Sequence, residues 1–101
     1  MDNTNSLVLV GTLYDDAVVE INNKNTKCSF ILQHHHKNQT FTFTCVTRGE
    51  QARYFKDMLK KGAYVRLAGG LRQNAIGIYI LAEHLEVREN SNTFTSEEDN
   101  D

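Results

Sequence analysis

The stretch Thr40–Gln73, TFTFTCVTRGEQARYFKDMLKKGAYVRLAGGLRQ, decides the fold. Over Thr40–Arg48 the side chains alternate, with Phe41, Phe43 and Cys45 on one side and Thr42, Thr44 and Val46 on the other. That period of two, in residues that favour extended backbone, predicts a strand. Over Gly49–Lys61 the period changes. Ala52, Phe55, Met58 and Leu59 fall on one face at helical spacing, Glu50 stands near the start and Lys60-Lys61 at the end, as the helix macrodipole favours. Gly62 is placed to end the helix in a left-handed conformation. Tyr64–Gln73 returns to alternation, with Val65, Leu67, Gly69 and Leu71 inward.

Outward from this block the chain reads as all β. Leu7–Tyr14 (LVLVGTLY) predicts a first strand, apolar on both faces, with Gly11 marking a bulge or sharp bend. Asp15-Asp16 predicts a turn, and Ala17–Ile21 a continuation of the same strand beyond it. Asn22–Thr26 reads as a loop. Lys27–His35 predicts the second strand and His36–Gln39 a turn into the third. Beyond the fourth, Asn74-Ala75 turns the chain into a fifth strand, Ile76–Val87, whose alternation breaks between Ala82 and Leu85. Five strands with one short helix between the third and fourth are the layout of the OB-fold, a Greek-key barrel. The expected core is Phe30, Leu32, Phe41, Phe43, Val65, Leu67 and Leu71. The domain is expected to span residues 1–89, and residues 90–101 to form a disordered acidic tail.

A chain of 101 residues suits one domain. No apolar run approaches a membrane span, and the N-terminus MDNTNS lacks the layout of a secretory signal, so a soluble cytoplasmic protein is expected. Cys28 and Cys45 sit in apolar strand patterns and read as buried free thiols. The net charge of -2 hides a split. Without Glu97, Glu98, Asp99 and Asp101 of the tail, eleven cations face nine carboxylates, a formal +2.

The outward faces of the second, third and fourth predicted strands present Lys27, His35, Arg48, Arg66 and Arg72, and those strands contain no Asp or Glu. A purely basic face costs repulsion that an anionic ligand relieves, and a phosphate backbone is such a ligand. Tyr14, Tyr64 and Tyr79 are the aromatic residues able to face outward. Of His34-His35-His36, only His34 and His36 share a strand face, and no carboxylate or cysteine with ligand spacing accompanies them, so no metal and no cofactor are expected. No nucleophile–base pair or phosphate-cradling loop is legible, which speaks against an enzyme.

LVLVGTL near the start, CSFILQH in the second strand, the strand–helix–KKG–strand block ending VRLAGGLR, and ILAEHLEV at the end together resemble the bacterial single-stranded DNA-binding protein (SSB) family, including its primosomal PriB branch. The likeness runs from about Ser6 to Glu89. It implies an OB-fold that binds single-stranded DNA in replication, recombination or repair. The expected contacts are Lys27, His35, Arg48, Arg66 and Arg72, with Tyr64 and Tyr79 stacking on bases. It also implies a homodimer or homotetramer joined through Leu7, Val8, Leu9 and Val10, and replication or primosome proteins as partners. Thr42 and Arg48 stand where SSB proteins place bulky stacking residues, the connection between the last two strands is short, and the tail ends EEDND without a hydrophobic tip. These departures imply binding led by charge. The alternative is an OB-fold module for protein interaction.

Overall fold

The computed structural model describes residues 5–88. Its elements are β1 (Leu7–Leu13), β2 (Val18–Asn22), β3 (Asn25–His36), β4 (Gln39–Arg48), α1 (Gly49–Phe55), β5 (Tyr64–Gln73) and β6 (Ile78–Arg88). The strands follow the order β1-β5-β6-β4-β3-β2, and β1 also pairs with β3 through Thr12 and Leu13. That second pairing closes β1, β5, β6, β4 and β3 into a five-stranded barrel, leaving β2 as an added edge. With β4 parallel to β6, every other pair antiparallel and the one helix between β4 and β5, this is an OB-fold.

The barrel is filled by the inward rows of all five strands, among them Leu13, Cys28, Phe30, Leu32, Val65 and Leu67. α1 covers one end with the buried Ala52, and Leu59 and Phe55 pack behind it. Among the described residues no helix is long and apolar enough to cross a membrane. The expected tail, Asn90–Asp101, lies outside the described residues.

Several expectations are corrected. Ala17–Ile21 does not extend the first strand. The Asp15 carboxylate accepts from the Asp16 amide and the Asp16 carboxylate from the Lys61 amide, which turns the chain, and Val18–Asn22 becomes a separate strand antiparallel to β3. The expected loop Asn22–Thr26 shrinks to a turn at Asn23-Lys24, because Asn23 takes φ 58, a conformation asparagine tolerates. The helix ends at Phe55 rather than Lys61. Beyond it the chain continues in turns, where the Leu59 carbonyl accepts from the amide of Ala17 in the segment between β1 and β2. Gly62 does take a left-handed conformation, φ 87. Gly11 serves close approach: a Cβ there would collide with the Gln33 carbonyl where β1 meets β3.

The broken alternation of the last strand is a β-bulge. Ala68 faces His84 while Gly69 faces Ala82, so Glu83 is an extra residue. One inserted residue lets Ile80 and Ala82 point inward before it and Leu85 and Val87 after it. Phe41 and Leu71, expected in the core, are exposed. Both lie at the barrel end away from α1, where the strands run past the layer that packs on them.

Candidate functional site

Partners in a β-ladder share a face, so the register places each side chain. On the outside of β3 and β4 the pairs run Lys27–Arg48, Ser29–Val46, Ile31–Thr44, Gln33–Thr42 and His35–Thr40. Neither strand carries a carboxylate. Three expected contact residues, Lys27, His35 and Arg48, therefore lie on one surface, the first and last side by side at one end. Two more adjoin it. Arg72 and Tyr79 face each other across β5 and β6, and Tyr79 borders a hollow with Thr44 of β4. Arg66 is apart from them, outside β5 between Val10 and Glu86. Tyr64 faces Thr12 and Arg88, and with His35 it borders a hollow over the seam between β1 and β3.

The neighbouring strands supply the carboxylates that these three strands lack. Lys27 Nζ lies 3.8 Å from Glu20 of β2, and Arg72 lies 3.7 Å from the bulge residue Glu83. Both pairs are long and solvated, so each contributes only about 0–1 kcal/mol. Arg48 makes no ion pair among the described residues. The His35 ring meets the Thr40 hydroxyl at 2.9 Å, which orients it on the same face.

Between the cationic end and His35 the face is uncharged, with Val46 and Ile31 among Ser29, Thr44, Gln33 and Thr42. Tyr14, Val18 and Ile31 wall a groove of about 400 Å³, with Ser29 and Thr44 on its floor and Asp15-Asp16 at its rim. Val18 and Ile31 escaped the sequence reading. Ile31 stood in the same outward row as Lys27 and carried a signal. Val18 did not, because its face depends on pairing with β3.

His34 and His36 share a face, as their spacing requires, with ring centroids 6.4 Å apart. His34 Nδ1 lies 2.8 Å from the Val10 carbonyl and bridges the seam where β1 diverges from β3. Among the described residues no three His, Cys, Asp or Glu side chains are grouped to hold a metal ion. The cysteines are buried free thiols. Desolvation pushes Cys45 up to about 12 and raises Cys28 as well, the latter partly offset by Lys56, so both are neutral thiols near neutral pH.

On the expected interface strand, Leu7 and Leu9 pack against the core, and Val8 and Val10 turn outward, Val8 well exposed. Leu7–Gly11 pair with β5 on one side, and among the described residues no strand pairs with them on the other.

No family model matches the sequence, and no curated protein matches it. Among solved structures, the chain is similar to the SSB domain of a protein from Synechococcus sp., with a TM-score of 0.71 and 18% identity over 85% of this chain and 98% of that one. At this identity the likeness concerns the fold, and it agrees with the closed barrel described above.

Proposed function

We propose that the protein is a non-enzymatic single-stranded DNA-binding protein that serves replication, recombination or repair. The observation that carries the proposal is the outer face of β3 and β4: Lys27 and Arg48 paired at one end, no carboxylate on either strand, and an apolar groove beside them. Phosphates would neutralise the cations while bases leave water in the groove. The solved SSB domain of the same fold supports the reading. Arg72 and Tyr79 extend the surface toward β6, whereas Arg66 and Tyr64 serve a strand that wraps over the β1 seam. The edge of β1 that has no strand partner among the described residues, with Val8 exposed, supports assembly into a homodimer or homotetramer through Leu7–Val10. Within the SSB family the reading spans both SSB-like and PriB-like roles.

Fluorescence anisotropy with labelled oligo-dT at two salt concentrations tests the proposal. Binding that weakens steeply with salt is expected. Absence of binding at low salt and excess protein would sink it.

A second reading, a protein-interaction module of a replication or primosome assembly, is favoured by β2. All five of its residues are exposed, and its outer edge is the end of the sheet. Such an edge accepts an added strand from a partner. The double variant Lys27→Glu/Arg48→Glu discriminates the two: it abolishes DNA binding under the first reading and leaves partner capture intact under the second.

A further inference from the structure

Among the described residues β2 ends the sheet, and part of its backbone has no strand to bond. The turn joins Asn22 to Asn25 through Asn23 and Lys24, so Asn22 and Asn25 form a hydrogen-bonded pair. Such pairs recur at every second residue, so Glu20 with Lys27 and Val18 with Ser29 are hydrogen-bonded as well. The N–H and C=O groups of Val19 and Ile21 therefore point away from β3, toward the open edge. The Ala17 amide points the same way and is taken by the Leu59 carbonyl at 2.9 Å, so the open stretch starts at Val19. The side chains leave this edge accessible. Val19 and Ile21 share the face of Cys28 and Thr26, yet they are 38% and 64% exposed. Three of the five residues of β2 are β-branched and apolar, and the strand has no lysine, proline or bulge of the kind that keeps edges from pairing. An edge in this condition accepts an extended segment through backbone hydrogen bonds.

The charges indicate the occupant. Glu20 is the one charged residue of β2 and stands on its outer face, 3.8 Å from Lys27. Asp15 and Asp16 lie at the rim of the groove that Val18 walls on that face. A second copy fits poorly. Antiparallel pairing that uses the free groups of both Val19 and Ile21 sets Val19 against Ile21 of the second copy, which brings Glu20 directly against Glu20. Like charges directly opposed destabilise a sheet. Centring the pair on Val19 would need the Ala17 amide, which Leu59 holds, and centring it on Ile21 would run into the turn at Asn23. A segment with Lys or Arg opposite Glu20 turns that repulsion into attraction. The residues flanking its cation fall on the other face, against Val19 and Ile21, where apolar side chains match them.

We infer that the open edge of β2 takes, as an added strand, an extended segment of a different protein that reads apolar–cationic–apolar, with its Lys or Arg opposite Glu20. The inference rests on the protein-interaction reading and adds to it the chemistry of the partner and the backbone groups that hold it.

The probe is the acetylated synthetic peptide Thr-Val-Lys-Val-Thr, with Thr-Val-Glu-Val-Thr as its counterpart. Each is titrated to millimolar concentration into isotope-labelled protein and followed through the backbone amide resonances. The Lys peptide is expected to shift the Val19 and Ile21 amides and to slow their exchange with solvent. It is expected to bind about fivefold more tightly than the Glu peptide, the difference between an opposite and a like cross-strand pair. Glu20→Lys is expected to reverse that order. Ile21→Pro is expected to abolish binding with an unchanged far-ultraviolet spectrum, because the N–H it removes faces the open edge and not β3. Unmoved Val19 and Ile21 amides, equal binding of the two peptides, or full binding by Ile21→Pro overturns the inference. So does a particle mass that rises with concentration in the wild type and not in Ile21→Pro, which gives the edge to a second copy. Shifts confined to other strands overturn the inference and leave the interaction reading standing. That reading falls separately, if Lys27→Glu/Arg48→Glu loses a partner that the wild type captures.

Discussion

Arg48 and Arg72 have the same side chain and different surroundings. Arg48 stands beside Lys27 without an ion pair among the described residues, and Arg72 shares Glu83. Replacing Arg48 by Ala should therefore weaken oligo-dT binding more than Arg72→Ala. It should also lower the slope of log affinity against log salt by about 0.7, the loss of one phosphate contact on a single strand. Salt titrations of the two variants check the order. Cys45 provides a prediction about stability. Its folded pKa of about 12 lies above the ordinary 9.0, so the thiol contributes stability that is fully present below pH 9 and is lost as pH rises toward 12. At pH 10.5 the loss should reach about 2 kcal/mol relative to pH 8. Urea unfolding at both values should show a larger loss in the wild type than in Cys45→Ala, which keeps only the contribution of the raised Cys28 thiol.

At the scale of elements, the bulge in β6 governs more than any single contact. It reconciles two inward rows that a regular strand would place on opposite faces. Deleting Glu83 should send Leu85 and Val87 outward and turn His84 and Glu86 into the core, because a one-residue slip exchanges faces. Loss of the cooperative thermal transition by circular dichroism is the expected result. A deletion variant with a wild-type melting curve would contradict this account. β2 illustrates the opposite case. Its residues are all exposed, so its strand character comes from pairing with β3 and from the Asn23 turn rather than from burial.

At the scale of the whole molecule, the β1 edge before Thr12 has no strand partner among the described residues, with the His34 ring engaging Val10 at its end. If this edge joins copies, Val8→Asp should reduce particle mass in light scattering while the far-ultraviolet spectrum stays the same, since Val8 lies outside the core. An assembly that keeps its mass in this variant is joined elsewhere.

The order of strands and helix, the identities of Phe30, Leu32, Val65 and Leu67 as core, and the row of cations on β3 and β4 were legible in the sequence. Each follows from local period: two for a strand, 3.6 for a helix, and a face that alternation assigns without knowledge of neighbours. Period shows which way a side chain points but not whether anything lies there to cover it. Phe41 and Leu71 point inward as read, yet they stand beyond the barrel's last packed layer, and only tertiary structure revealed them as surface. Likewise Arg66 and Arg48 shared a charge pattern, but closure of the barrel set them on different walls. Glu20 and Glu83, each on the strand next to that of Lys27 or Arg72, became their partners through hairpin pairing, which alternation within one strand does not show. Local periodicity determined the elements and their faces. Curvature and closure, which depend on contacts between distant residues, decided which faces meet and which remain open.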